Sequence, residues 1–373
     1  MRDMREREAL AAEVLGFIGR GVEAPADDET FGRLALAAFE YQLAENEPYR
    51  RFCERRRVTP GGLSDWRAIP AVPTAAFKEA ALICGGPGTA QIVFRTSGTS
   101  QGRERRGAHY VRDLKLYEAS ALSNFSAHLL PGGVRLRVLV LGPGPDLSPD
   151  SSLTWMLDLV RSRLGRPGGG HYVNQNGLQL ESLTADLESC ERDGRPVMLL
   201  GTASAFAHLV EHLERSDRVF RLAPGSRLME TGGFKGQGRV IPRGEFYAGL
   251  TYRLGIAELY CVAEYGMTEM CSQFYDNVLR ERALGRSPER RYKVIPPWVR
   301  TQVVDAETLE PLPAGTVGVL RHFDLANLDS VLAVQTDDLG IAGGGGFEIL
   351  GRAAGAELRG CSIAMDQWLT AQR

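Results

Sequence analysis

Residues 93–106, VFRTSGTSQGRERR, bring hydroxyls, glycines and arginines together directly after an apolar run. Glycine lets backbone N–H groups converge, and Thr96, Ser97 and Thr99 add hydroxyl donors around Gly98, so the stretch suits a phosphate; a solvated turn would share its composition. It is not a Walker loop, because the GxxxxGK[ST] frame is absent. A second segment, Glu230-Thr231-Gly232-Gly233-Phe234-Lys235, follows the apolar SRLM. Its paired glycines allow a flat ring or a phosphate to approach the backbone, although most such pairs are turns. A third segment, Tyr265-Gly266-Met267-Thr268-Glu269, offers an aromatic face for a base, a hydroxyl for a phosphate and a carboxylate for Mg²⁺; a core tyrosine and a helix-terminal glutamate are the plainer reading. The fourth is QTDDLG at 335–340, where Asp338 can accept from both hydroxyls of a ribose, with Arg352 of GGGGFEILGR further on to back it up.

These segments sit at the ends of short apolar runs, and the runs indicate the scaffold. Before residue 70, ALAAEVLGFI and FGRLALAAFEYQLAENEPYRRF carry apolar residues at helical spacing, with DDET as an N-cap region. From about residue 90, strands alternate with amphipathic helices: IVFRT, VRLRVLVLG, PVMLLG and SRLMET each precede a helix-length segment. That alternation predicts an α/β layered architecture with a mainly parallel sheet, whose ligands gather at the carboxyl ends of strands. After residue 290 the pattern becomes hairpin-like, with DAETLEPLPAG and GGGG at 343–346 as turns.

With a net charge of −2 and 24% charged residues, the chain has no basic footprint for nucleic acid. Its apolar runs fall far short of the ~20 residues of a membrane span, and MRDMREREAL is no signal peptide, so a cytoplasmic protein is expected. Six cysteines occur without a CxxC pair, which argues against a zinc knuckle or disulfide framework. His208 and His212, four apart, lack a third metal ligand in motif spacing. Nothing in the sequence reports on oligomeric state.

In the order TSGTSQG, ETGG, EYGMTE, TDDLG and GR, these motifs resemble the series of the adenylate-forming superfamily, which includes acyl-CoA synthetases, phenylacetate-CoA ligases and nonribosomal adenylation domains. Further stretches, VPTAAFK ending at Lys78, SSLTWML at 151–157, HFDLANLDSVLAVQTDDLG and ELRGCS at 357–362, are similar to one branch, the acyl-protein synthetases of bacterial bioluminescence. The resemblance implies the αβα-layered large domain of such an enzyme: a helical cap over 1–85, a nucleotide- and acyl-binding core over 86–290, a β-rich subdomain over 291–352 and a short tail over 353–373. It implies ATP and Mg²⁺, a fatty or aryl carboxylic acid activated as acyl-AMP with release of pyrophosphate, and acyl transfer to a thiol. Carried onto this chain, Thr96, Ser97, Gly98 and Thr99 would cradle the β/γ-phosphates, Gly232 and Gly233 would line the adenine, and Tyr265 would stack on it. Thr268 would meet the α-phosphate, Glu269 would hold Mg²⁺, and Asp338 with Arg352 would hold the ribose. Cys361 would accept the acyl group before an acceptor or carrier protein receives it.

The sequence departs from that pattern in three places. The phosphate loop has no terminal lysine, leaving Arg103, Arg105, Arg106 or Lys235 to offset phosphate charge; the TGD motif reads Thr336-Asp337-Asp338; and the chain ends at Arg373, so the superfamily's mobile C-terminal domain with its lysine is expected to be missing. A mobile tail bearing Cys361 could then swing in as nucleophile, and a partner protein could supply the cation. Coenzyme A, a carrier-protein thiol or an amine are alternative acceptors. A nucleotide-binding scaffold without turnover is the non-enzymatic alternative, opposed by the retention of Thr268, Glu269 and Asp338. An acyl pocket is expected between Leu153, Trp155, Met156 and Leu159 and the helix after Leu200.

Overall fold

The computed structural model describes residues 2–97, 106–233, 241–288 and 290–353, together with Met365 and 368–370; for 2–4 only the backbone is described. Gly98, Thr99, Arg103, Lys235 and Cys361 lie outside the described residues. The chain forms two compact units, the first from Met1–Asn124, Met267–Gln273 and Val294–Arg373, the second from Phe125–Gly266 and Phe274–Lys293.

The second unit is the layered α/β part. Its parallel strands run in the order Cys261–Tyr265, Arg227–Thr231, Val197–Thr202, Arg137–Pro143 and Arg166–Asn174. Strands covered on both faces read as continuous apolar runs, and every residue of Arg227–Thr231 is buried. The helix Ala203–Arg215 starts where Thr202 caps it by accepting from the Ala205 N–H, and it buries Phe206, Leu209 and Leu213 against Leu199, Leu228 and Leu250. Each such side chain contributes roughly 1.5–3 kcal/mol of burial. Strand Arg166–Asn174 carries the sequence RPGGGHYVN, without the apolar alternation that announces a strand. Glycine is required there: a Cβ on Gly169 would stand 2.1 Å from the Val138 carbonyl oxygen.

The first unit packs helices on an antiparallel sheet of Val299–Val304, Val317–Asp324, Ala333–Gly343 and Gly346–Arg352, so DAETLEPLPAG and GGGG are the expected turns. Val72–Pro73 adds in parallel to Val334–Gln335. Helix Asp28–Glu45 is capped by Asp27, within the expected DDET region, and docks through Gln42, which donates to the Asn327 and Leu328 carbonyls and accepts from the Leu332 N–H. IVFRT corrects the sequence expectation. Instead of joining the parallel sheet, Ile92–Arg95 pairs antiparallel with Ala108–Val111, the next strand in sequence, so its partner is local. Beyond the tail residues, Trp368 is fully buried with its ring 5.3 Å from Phe52, and Arg55 donates to the Thr370 carbonyl. Ala353 on one side of Cys361 and Trp368 on the other are thus both bonded or packed in the first unit, and the residues between them, apart from Met365, lie outside the described residues. Among the described residues no helix is long and apolar enough to cross a membrane.

Candidate active site

In the first unit, the hairpin Ile92–Arg95/Ala108–Val111 closes the base of the phosphate-loop candidate. Thr96 and Gly107 exchange hydrogen bonds, Thr96 N–H to the Gly107 carbonyl and Gly107 N–H to Thr96 Oγ1 at 2.9 Å. Ser97, the next residue, is exposed. Arg106 spends its guanidinium on this closure, donating to the Thr96 and Arg95 carbonyls.

Thr268 and Glu269 lie on a stretch whose backbone is pinned residue by residue. The buried His109 donates from Nδ1 to the Thr268 carbonyl at 2.7 Å, and burial holds its pKa down near 4, so the imidazole is neutral. Asn327 donates to the Glu269 carbonyl at 2.8 Å. Asp324, itself inaccessible to solvent, accepts from the Cys271 N–H, the Ser272 N–H and the Ser272 hydroxyl. Burial pushes Asp324 up to about 6, against the pull of those donors. Glu269 is buried, with 8% of the residue exposed. Burial raises it to about 7, opposed by the Glu269 backbone N–H, Arg352 and Lys78, while Asp338 adds to the rise. A cation beside Glu269 would relieve that frustration. A buried hard-oxygen donor also suits Mg²⁺, which takes one or two carboxylates and fills its remaining positions with phosphate and water.

Asp338 and Arg352 face each other across the Ala333–Gly343/Gly346–Arg352 hairpin. A register shift between Leu339 and Gly340 sets that pairing. The Arg352 Nε stands 3.4 Å from an Asp338 carboxylate oxygen, with the Asp338 side chain 14% exposed and that of Arg352 61% exposed. The Thr336 hydroxyl accepts from the Asp338 N–H, so the missing glycine of the TGD pattern leaves the aspartate positioned.

In the second unit, Gly232 (φ +83°) and Gly233 (φ +57°) follow strand Arg227–Thr231 in successive left-handed conformations, and a Cβ on either would meet no atom within 4 Å among the described residues. Backbone geometry selects glycine here. Tyr265, at the end of the neighbouring strand, is half-buried with its ring 5.8 Å from Phe274. A buried network beneath holds these strand ends. The Thr231 hydroxyl donates to Glu264, Tyr247 donates to Glu230, and Lys293 donates to the Ala263 carbonyl and pairs with Asp276 at 3.0 Å. Burial lifts Glu264 to about 7. A cavity of about 250 Å³ opens where strands Arg137–Pro143 and Val197–Thr202 end, lined by Leu153, Leu157, Val173, Ala205 and His208 among others. Of the residues expected to wall an acyl pocket, Leu153 and the helix after Leu200 line this cavity, whereas Trp155 and Leu159 do not. Met156 does not line it, being buried with its sulfur 3.7 Å from the Tyr275 hydroxyl.

Sequence reasoning missed Lys78, Asp324, Asn327 and Lys293. For Asp324 and Asn327 a signal existed: polar residues inside the apolar HFDLANL must be paired if buried.

The fold is shared with adenylate-forming enzymes. An open form of 2-hydroxyisobutyryl-CoA ligase in complex with 2-HIB-AMP and CoA superimposes with a TM-score of 0.63 at 15% identity, over 89% of this chain and 76% of that one. By sequence, the chain is 23% identical over 350 residues to the long-chain-fatty-acid–luciferin-component ligase of Vibrio harveyi, covering 91% of this chain and 88% of the relative. It is 21% identical over 345 residues to the ligase of the same name from Aliivibrio fischeri, covering 89% and 87%. The sequence model of the family described as acyl-protein synthetase, LuxE, matches residues 24–370, and the chain belongs to that family of adenylate-forming ligases.

Proposed function

We propose that the chain activates a long-chain fatty acid with ATP and Mg²⁺ and delivers the acyl group to a protein, with Cys361 as the intermediate thiol. The observation that carries this reading is the convergence, within the first unit, of Thr96, Glu269, Asp338 and Arg352 from segments far apart in sequence. In the first step a carboxylate oxygen attacks the α-phosphorus and the bond to pyrophosphate breaks. In the second a thiolate attacks the acyl carbonyl and AMP leaves. Mg²⁺, when bound, neutralises phosphate charge; Glu269 would hold it. Thr268 donates to the α-phosphate, Gly232, Gly233 and Tyr265 take the adenine, and Asp338, steadied by Arg352, takes the ribose. The apolar cavity takes part of the acyl chain.

Cys361 is favoured by the state of the other thiols. Cys53, Cys84, Cys190, Cys261 and Cys271 are buried, and burial pushes Cys53 and Cys261 to about 12 and raises the rest, so none is a ready thiolate. Cys361 is eight residues beyond Ala353, whose N–H is bonded to the Asp337 carbonyl next to the ribose candidate. Eight residues extend to at most roughly 28 Å, enough to reach an adenylate beside Asp338.

Pyrophosphate exchange over a panel of saturated fatty acids, followed by intact-mass measurement, tests the whole. Exchange dependent on long-chain acid and a stable acyl adduct are expected, and Cys361→Ser abolishes the adduct while exchange persists. An adduct unchanged in Cys361→Ser removes that thiol from the pathway, and transfer to coenzyme A alone would favour a soluble acceptor. Asp338→Ala is expected to raise the KM for ATP by about tenfold with a smaller change in kcat. Unaltered nucleotide affinity in that variant would end the ribose assignment.

A further inference from the structure

We propose that Lys78 is a substrate-contacting cation of this site, its ammonium lying against the triphosphate of ATP where negative charge gathers on departing pyrophosphate. The inference rests on the adenylate-forming reading above and adds a residue to it. Lys78 ends the short helix Thr74–Lys78, which continues from Val72–Pro73. That pair runs parallel to Val334–Gln335, the strand that continues into Thr336–Asp338, so the helix begins directly after a residue paired with Gln335. One residue before Lys78, the Phe77 ring sits edge-on to His109 at 5.9 Å, and His109 holds the Thr268 carbonyl. The Lys78 stem lies against the closed base of the phosphate loop: a Cβ built on Gly107 would be 3.6 Å from Lys78 Cγ and 3.1 Å from the Thr96 methyl. The loop base meets the Lys78 stem, and the Thr268 carbonyl connects to the preceding residue, Phe77, through His109.

That lysine is uncommitted. It is exposed and, among the described residues, its ammonium makes no hydrogen bond or ion pair, whereas Arg106 is consumed by backbone carbonyls and Arg352 faces Asp338. The loop itself lacks a lysine, so Lys78 supplies from a neighbouring helix the compact point charge that phosphate needs. As the carboxylate oxygen bonds to the α-phosphorus, the electron pair of the breaking P–O bond passes to pyrophosphate. No proton moves, and Lys78 offsets the added charge without changing its protonation.

Binding of ATP and of AMP to wild type, Lys78→Ala and Lys78→Arg, measured calorimetrically with Mg²⁺ present, separates a phosphate contact from a structural role. Fatty-acid-dependent pyrophosphate exchange is measured on the same samples. Lys78→Ala is expected to bind ATP about tenfold more weakly and AMP within about twofold of wild type, and to lose exchange by ~100-fold or more. Lys78→Arg recovers part of both losses. Equal losses for ATP and AMP, or exchange in Lys78→Ala within about threefold of wild type, would overturn the proposal. If wild type binds ATP but no acid supports exchange, fatty-acid activation fails while the ATP-against-AMP comparison still decides Lys78. Absence of ATP binding by wild type overturns both.

Discussion

Glu269→Gln is expected to lower fatty-acid-dependent pyrophosphate exchange by about two orders of magnitude or more. Glutamine keeps the shape of the side chain and removes its charge. The backbone around it has independent supports, since the Thr268 carbonyl is held by His109, the Glu269 carbonyl by Asn327, and residues 271 and 272 by Asp324. The substitution therefore isolates the carboxylate. Because it removes a charge from a site only 8% exposed, the melting temperature should not fall, and a variant that melts early would point to a structural role. Raising Mg²⁺ should recover little of the loss if the hard-oxygen ligand itself is gone. Exchange within about threefold of wild type would strip Glu269 of the metal assignment.

Legibility in the sequence depended on whether a residue acts through its own local pattern. Glu269, Asp338 and Arg352 announce themselves because their neighbours constrain them: a Tyr-Gly before the carboxylate, a Thr-Asp before the ribose candidate, a Gly before the arginine. The Asp338–Arg352 pairing needed only the expected hairpin with GGGG at its tip, although the register shift that aligns the two is invisible in the sequence. Lys78 lacked such a pattern. VPTAAFK carries part of the family resemblance, but nothing in it marks the lysine as a phosphate contact, and the role proposed for it depends on the parallel pairing of Val72–Pro73 with Val334–Gln335, a contact across most of the chain. Strand partners were the other hidden quantity. IVFRT has strand character whichever sheet receives it, and RPGGGHYVN conceals a strand because its glycines exist to let the Val138 backbone approach. The αβα character of the second unit was readable, since each of its central strands is an apolar run followed by an amphipathic helix.

The same separation between side chains that react and side chains that hold the backbone predicts a second large effect, this time on stability. Asp324→Ala is expected to lower the free energy of unfolding by about 3–5 kcal/mol, against a typical total of roughly 5–15 kcal/mol. The carboxylate accepts from three backbone N–H groups, those of Cys271, Ser272 and Ala326, and from the Ser272 hydroxyl. The Ser272 hydroxyl in turn lies 2.8 Å from that of Ser120 and 3.2 Å from the Trp298 indole nitrogen. Alanine leaves those donors in a site with no solvent access, and each unsatisfied group costs about 1–3 kcal/mol, partly recovered by relaxation or an entering water. Chemical denaturation would read the loss directly. Exchange activity, measured well below the variant's melting temperature, should fall as well, because the segment that Asp324 fixes begins two residues after Glu269. A drop in stability with fully retained exchange would show that Glu269 is positioned by His109 and Asn327 alone. A variant as stable as wild type would mean that water satisfies the three N–H groups, and Asp324 would lose its place as the anchor of this loop.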